Sequence, residues 1–271
     1  VTTVRLIVLG ATGRMGRRVC KLALREDDFE IVGAVASPNS PHLGEDVGEI
    51  VAGEPVGVEI SPPERVRELA EEADVAVDFT RPEATLENVP PLAEAGVDLV
   101  IGTTGFDEEQ ERELVRVIEE NEVAAVISPN MSLGVNLVYE LIRRTVEALK
   151  DRGFDFEIVE IHHRHKEDAP SGTALEMARI VREVVGDLKV VTGREGRVGP
   201  RSEDEIGVMA VRGGEVVGDH TFMALGEHER VEITHRAASR DAFAKGALVA
   251  ARSVVNMNPG IYSMTDVLFG D

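Results

Sequence analysis

Tryptophan is absent, and glutamine and cysteine occur once each, as Gln110 and Cys20. A single cysteine excludes an internal disulfide, and its place within the helical pattern of residues 17–24 makes it a small core residue rather than a redox or metal group. No apolar run is long enough to cross a bilayer, and residues 1–10 read as a strand rather than a charged-then-apolar leader, so a soluble, cytoplasmic protein with no membrane partner is expected. Positive charge is also scarce: 29 Lys and Arg stand against 50 Asp and Glu, a formal net charge of -21. A surface of that sign repels a phosphate backbone, which argues against non-specific nucleic-acid binding. An anionic small molecule can still bind where positive charge is gathered locally. Arg greatly outnumbers Lys, a bias that points to high salt or high temperature.

What the chain does carry, over 271 residues, is enough length for two modest domains or one large one, with no internal repeat. Residues 4–9 are a short apolar run with β-branched side chains. They lead directly into G-A-T-G-R-M-G, Gly10 to Gly16, and a helical pattern at 17–25. Strand, glycine-rich turn and helix in that order are the setting of a dinucleotide-binding turn. Gly10 permits the tight turn, Gly13 lets the backbone approach a pyrophosphate, and Gly16 permits close helix packing, with Ala11, Thr12, Arg14 and Met15 completing the loop. Phosphates would sit at the helix N-terminus, where N–H groups and the helix dipole favour negative charge. The spacing G-x-x-G-x-x-G departs from G-x-G-x-x-G, and an ordinary βα turn is the plain alternative.

A second strand, 29–36, ends in Ser37, Pro38 and Asn39, which supply neither a carboxylate for an NAD ribose nor an arginine for a 2′-phosphate. Residues 39–63 read as an irregular excursion with at most short strands. Helices at 63–73, 83–95 and 107–121 then alternate with strands at 75–79, 97–101 and 123–127. This alternation predicts an α/β fold with a doubly wound parallel sheet. The strand ends place Thr80, Arg81, Gly102, Thr103, Thr104, Ser128, Pro129, Asn130 and Met131 at the carboxyl edge, where open α/β sheets bind ligands. Together with Ser37 and the glycine loop they form the candidate cofactor groove.

After Asn130 the pattern changes to a long helix at 133–150, a strand, a helix at 174–185 and a series of strands. Gly213-Gly214 and Gly226-Glu227 read as turns of antiparallel hairpins. A second α+β domain with a mixed or antiparallel sheet is expected over 131–240. The first domain is 1–130, completed by a helix-bearing segment 241–271.

The strand that opens the second domain runs into E-I-V-E-I-H-H-R-H-K-E-D-A-P-S-G-T-A, residues 157–174. Glu160 and His162 share one strand face, Ile161 and His163 the other, so the adjacent histidines have different jobs. His162, His163, Arg164, His165 and Lys166 form the densest proton-carrying cluster in the chain. No carboxylate or cysteine pattern completes a metal site around them, and no metal is expected. Solvated loop residues are the plain reading of Arg164 and His165. The helix start at Ser171-Gly172-Thr173 offers N–H groups and hydroxyls to a carboxylate, with His163 and Lys166 adding donors. A dicarboxylate pocket with His162 or Lys166 supplying a proton, coupled to a nicotinamide groove, suits reduction of a C=C or C=N bond.

In this order G-A-T-G-R-M-G-R, D-F-T-R-P-E, G-T-T-G-F-D, P-N-M-S-L-G-V-N, the His/Lys segment and I-T-H-R-A-A-S-R-D-A-F-A resemble the 4-hydroxy-tetrahydrodipicolinate (dihydrodipicolinate) reductase family over nearly the whole chain. The resemblance implies reduction of 4-hydroxy-tetrahydrodipicolinate in diaminopimelate and lysine biosynthesis, with NADH or NADPH as cofactor. It implies His162 as acid/base and Lys166 as proton donor. His163, Gly172 and Thr173 would hold substrate carboxylates, and Gly10 to Met15, Gly102 to Thr104 and Ser128 to Met131 would contact the cofactor. A homotetramer formed through the second domain's sheet and a hinge between domains are further implications. Ser37-Pro38 departs from the acidic residue and arginine that many members carry there, which leaves cofactor preference open. The rival readings are another amino-acid-pathway dehydrogenase of the same architecture and a non-catalytic dinucleotide sensor, neither of which requires the His/Lys/Ser-Gly-Thr arrangement.

Overall fold

The computed structural model describes residues 3–270; residues 1, 2 and 271, which the sequence assigns to the first domain, lie outside the described residues. In chain order the elements are β1 (Val4–Leu9), α1 (Gly16–Ala23), β2 (Phe29–Val35), α2 (Val47–Ala52), β3 (Ile60–Ser61), a 3₁₀ turn (Pro63–Arg65) leading into α3 (Val66–Ala70), β4 (Val75–Asp78), α4 (Pro82–Glu94), β5 (Asp98–Ile101), α5 (Glu108–Glu120) and β6 (Ala124–Ile127). There follow α6 (Leu133–Leu149), β7 (Asp155–His162), α7 (Gly172–Val185), β8 (Lys189–Val191), β9 (Glu205–Arg212), β10 (Asp219–Leu225), β11 (Arg230–Arg236), α8 (Asp241–Val254), β12 (Gly260–Tyr262) and α9 (Met264–Phe269). They divide into two units, one running to Leu133 and resuming at Arg240, the other Gly134–Ser239.

In the first unit, successive residues of β1 enter opposite cores: Leu6 and Val8 pack with Val19, Cys20 and Leu248, while Ile7 and Leu9 pack with Leu92, Leu99 and Ile118. A strand buried on both faces is what a parallel sheet covered by helices requires. The sheet has the order β12-β6-β5-β4-β1-β2-β3, and all its pairs are parallel. The strand order reverses at β1 and β4, which is the topological switch point of a doubly wound fold. Cys20 is fully buried, and burial pushes its thiol up to about 12. The single glutamine closes a capping box: Asp107 accepts from the N–H groups of Glu109 and Gln110, and Gln110 accepts from the Asp107 N–H at 3.0 Å. The excursion after β2 contains a helix as well as a strand, because Asp46 caps α2 and also accepts from the N–H groups of Val56 and Gly57.

The second unit is a five-stranded mixed sheet, β11-β10-β7-β9-β8. The Gly213-Gly214 hairpin expected from sequence does not form: β9 runs parallel to β7 on one side, and β10 antiparallel to it on the other. The linking segment bonds to the end of β7 instead, with Gly213 N donating to His162 O, Arg164 N to Gly214 O and His163 N to Val216 O. The β10–β11 hairpin at Gly226-Glu227 does form. On the inner face of β7, Phe156 and Ile158 join Val138 and Ile142 of α6, Met177 and Val181 of α7, and Phe222 of β10 in a single core. That face ends in two polar residues, Glu160 and His162, both still buried.

Candidate active site

The first unit presents its glycine loop at the carboxyl ends of β1 and β4. Gly10 has φ 76, and a Cβ there would lie 2.7 Å from the Phe79 carbonyl oxygen. A Cβ at Gly16 would lie 2.1 Å from the Gly10 carbonyl oxygen, so α1 can start where it does only without a side chain. The loop is closed by Gly13 N donating to Gly10 O at 2.8 Å and tied to β2 by Ala11 N donating to Val35 O at 2.9 Å. No side chain caps α1; the loop itself takes up its first turn, with Arg17 N donating to Gly13 O at 3.1 Å and Arg18 N to Met15 O at 2.9 Å. A cleft of about 350 Å³ runs from Gly10, Thr12 and Gly13 past Ser37 and Pro38 to Thr80 and Arg81. This cradle fits a dinucleotide.

The neighbouring strand ends are held by Asp78, which is 1% exposed. Its carboxylate accepts from Thr80 N at 2.9 Å and Thr85 Oγ1 at 2.5 Å, and Thr80 N also donates to Thr103 Oγ1 at 2.9 Å. Burial raises the Asp78 carboxyl above its ordinary range, against the lowering effect of the three threonines. Ser128 Oγ donates to Asn130 O at 2.9 Å, and Asn130 Oδ1 accepts from Ser132 N at 2.9 Å, so this third turn is folded on itself. Arg14, Gly13, Ser37, Arg81, Thr104 and Pro129 are exposed; Thr12, Met15 and Gly102 are half-buried; Ala11, Thr103, Ser128 and Met131 are buried. Ala11 and Met131 sit in the core and can offer a ligand only their backbone. Arg17, whose place in a helical run gives no sign of a role, also reaches this rim. Its Nε donates to Thr12 O at 2.8 Å and its Nη2 to His42 Nε2 at 2.9 Å, while His42 Nδ1 meets Glu45 Oε2 at 2.8 Å.

In the second unit the polar residues gather at the end of β7. His162 Nδ1 donates to Glu160 Oε2, and Glu160 Oε1 accepts from Ser171 N at 3.1 Å. Arg212, which pairs with His162 in the β7–β9 register, clamps both Glu160 oxygens at 2.8 Å. Burial alone would raise the Glu160 carboxyl, but Arg212, then His162 and the Ser171 N–H, hold it below the ordinary range. Burial lowers His162, with Lys166 and Arg212 adding to the effect and Glu160 opposing it. Ser171 caps α7, its Oγ accepting from Ala174 N at 3.3 Å and meeting His220 Nε2 at 3.2 Å. The helix therefore starts at Gly172, with the N–H groups of Gly172 and Thr173 in its first turn. Lys166 Nζ donates to both Asp168 oxygens, at 2.7 and 2.8 Å. The His163 ring stands 6.2 Å from that of His165, and Arg164 and His165 are exposed.

Glu160, Arg212 and His220 were not assigned a role from sequence. The signal for Glu160 and His220 was an ionisable residue at an inward position of an otherwise apolar alternation, Phe156-Ile158-Glu160 and His220-Phe222-Ala224. Arg212 reaches Glu160 only through strand pairing across 52 positions of sequence. Among the described residues, no three His, Cys, Asp or Glu side chains are grouped to hold a metal ion, and no helix is long and apolar enough to cross a membrane.

Residues 4–131 match the family model described as dihydrodipicolinate reductase, N-terminus, and residues 134–268 the one described as dihydrodipicolinate reductase, C-terminus. The chain is 66% identical over 265 residues to a 4-hydroxy-tetrahydrodipicolinate reductase of Methanopyrus kandleri, covering 98% of this chain and 96% of that protein. It is 48% identical over 271 residues to the reductase of the same name from Aquifex aeolicus, covering 98% and 99%. Among solved structures, a dipicolinate-bound dihydrodipicolinate reductase from Paenisporosarcina sp. TG-14 superposes with a TM-score of 0.76 at 23% identity, covering 97% of this chain and 98% of that one, a likeness of fold.

Proposed function

The chain belongs to the dihydrodipicolinate reductase family and is an NAD(P)H-dependent oxidoreductase, and from that premise we propose how its residues reduce 4-hydroxy-tetrahydrodipicolinate, through the dehydrated unsaturated imine, to tetrahydrodipicolinate on the way to diaminopimelate and lysine. The observation that carries this reading is the convergence of His162, the Lys166 loop and the start of α7 at one end of β7. The first-turn N–H groups of Gly172 and Thr173, together with His163, bind the substrate carboxylates. Lys166 donates the proton that completes the reduction; a lysine ammonium both gives up a proton and offsets carboxylate charge. His162, with Nδ1 committed to Glu160, presents Nε2 as the nitrogen that takes up and releases a proton. Gly10 to Met15, Gly102 to Thr104 and Ser128 to Met131 hold the dinucleotide, which when bound supplies the hydride.

Both cofactors serve, in this reading. Ser37 offers a hydroxyl to either a 2′-hydroxyl or a 2′-phosphate, while Arg14 of the glycine loop and Arg17, tied to the same loop at Thr12 O, favour the phosphate modestly. Assembly is as a homotetramer in the cytoplasm through the outer face of the second sheet, where Val159, Ile161, Met209 and Met223 are half-buried and Val211 is 47% exposed. Two measurements test the proposal. Pyridine-2,6-dicarboxylate, a planar mimic of the substrate, should inhibit competitively against substrate, whereas a dinucleotide sensor would ignore it. The kcat/KM values for NADH and NADPH should differ by less than about a thousandfold, roughly 4 kcal/mol of transition-state discrimination; a larger ratio would show that an unassigned residue selects the cofactor.

A further inference from the structure

Two carboxylates are fully buried among the described residues, Asp78 in the first unit and Glu160 in the second. Asp78 is surrounded by neutral hydroxyls, but Glu160 is held by a guanidinium and an imidazole as well as by a backbone N–H. An ionised carboxylate offers about four acceptor sites on its two oxygens. On Glu160 all are used: Oε1 accepts from Ser171 N and Arg212 Nη2, and Oε2 from His162 Nδ1 and Arg212 Nη1. These donors come from three separate parts of the unit, namely β7 itself, the residue that caps α7, and the last residue of β9.

We propose that Glu160 is the positioning residue of the acid/base site, one carboxylate fixing both the tautomer of His162 and the start of α7, with Arg212 as its counter-charge. The inference rests on the reading of His162 and Gly172-Thr173 given above. A carboxylate accepts and does not donate, so the His162 hydrogen is on Nδ1 and the Nε2 lone pair is turned away from it. Room for that edge is left at Gly218, where a Cβ would come within 3.0 Å of Nε2. The other oxygen holds the Ser171 N–H, and Ser171 in turn caps α7, so the same side chain sets where the N–H groups of Gly172 and Thr173 begin. Arg212 keeps the carboxylate ionised in its buried place and is itself tied to the loop by Nη2 donating to Asp168 O at 2.7 Å. Glu160 touches no substrate in this account; it acts through His162 and through the helix start.

The test is Glu160→Gln. The amide keeps one acceptor oxygen and turns an NH₂ toward a cluster made only of donors, so His162 must lose its Nδ1 hydrogen to accept from it, or the N-terminus of α7 must loosen. Nitrogen-15 NMR of the histidine rings is expected to show His162 as the Nδ1–H tautomer in the unmodified protein, and to show hydrogen moved to Nε2 in Glu160→Gln. Steady-state kinetics should show kcat lower by about a hundredfold or more, the loss typical of a misplaced acid/base group. The inhibition constant of pyridine-2,6-dicarboxylate should rise at least about tenfold, as expected when oriented N–H groups are displaced. His162→Ala should lower kcat while leaving that inhibition constant within about threefold, because the helix start survives. If Glu160→Gln is not recovered folded, Glu160→Gln/Arg212→Met, which removes the orphaned guanidinium, is read in the same way. An Nε2–H tautomer in the active, unmodified protein, or a Glu160→Gln protein with unchanged tautomer and kcat, would overturn the proposal. Absence of any turnover in an unmodified protein that shows the Nδ1–H tautomer would instead overturn the assigned reaction.

Discussion

Lys166 and His162 are held in opposite ways: Lys166 by one ion pair to Asp168 on a loop, His162 by burial and a carboxylate that is itself clamped. Both are expected to carry proton transfer, so Lys166→Ala and His162→Ala should each lower kcat about a hundredfold or more, while NADH affinity, read by fluorescence, stays near normal because the glycine loop belongs to the other unit. His163→Ala should mainly raise the KM for substrate, and Arg164→Ala and His165→Ala, both at exposed positions, should matter least. Near-normal kcat in the first two variants would reduce the cluster to an anion clamp. His220 makes a separate prediction. Burial, then His162, pushes its imidazole down to about 4 from 6.5. Between those values the unfolded chain binds a proton that the folded protein refuses, so stability is present above pH 6.5 and falls as pH drops toward 4. The gap of about 2.5 pH units, at about 1.4 kcal/mol each, is worth roughly 3–4 kcal/mol. His162 and His235, also lowered, act in the same direction. The difference in melting temperature between pH 7 and pH 5 should therefore shrink in His220→Asn, the remainder belonging to His162 and His235; an unchanged pH slope would show that His220 titrates normally. At this scale the cluster was legible in the sequence because its members are consecutive. Glu160 was legible only as a residue on the same face as His162, since alternation gives the face a side chain occupies and not the strand across from it.

Elements with a strong period and a chemical boundary were legible: β1, the glycine turn and α1, the βα alternation, and α7 with its Ser171 cap. What escaped was pairing. Gly213-Gly214 has the composition of a hairpin turn, yet β9 and β10 each pair with β7, one on either edge of this central strand, and the linker is spent on the backbone at His162 and His163. β12, with three residues, and α9, with six, are too short to show a period, and β12 is a strand only because Gly260 to Tyr262 lie against Ala124 to Val126. The geometry of α1 gives the test at this scale. In Gly16→Ala the new Cβ would meet the Gly10 carbonyl at 2.1 Å, so α1 must back away from the loop, and the backbone that approaches a bound phosphate at their junction is displaced. NADH and NADPH affinity should fall at least about tenfold, with pyridine-2,6-dicarboxylate affinity unchanged. Retained dinucleotide affinity would mean that the α1 N-terminus is not the phosphate site.

Across the whole molecule the acid excess is the dominant physical fact: a formal net charge of -21 makes the folded chain repel itself. Counterions screen exposed charges over about 10 Å at 0.1 M salt and over less at higher concentration, so the melting temperature should rise with KCl well beyond 0.1 M, and a flat or falling curve up to molar salt would contradict this. The same excess makes the run of three histidines with Lys166, beside the helix start at Gly172, stand out in the sequence as a place for an anion. The order of motifs along the chain, which matches the family from residue 4 to 268, was readable in advance, whereas the contacts around Glu160 were not. The reaction itself is tested by mixing the protein with 4-hydroxy-tetrahydrodipicolinate and either NADH or NADPH and following loss of the reduced-nicotinamide absorbance. Substrate-dependent oxidation, suppressed competitively by pyridine-2,6-dicarboxylate and nearly abolished in Lys166→Ala, is the predicted result. Oxidation of neither cofactor by the unmodified protein, or oxidation indifferent to the dicarboxylate and to Lys166, would contradict it.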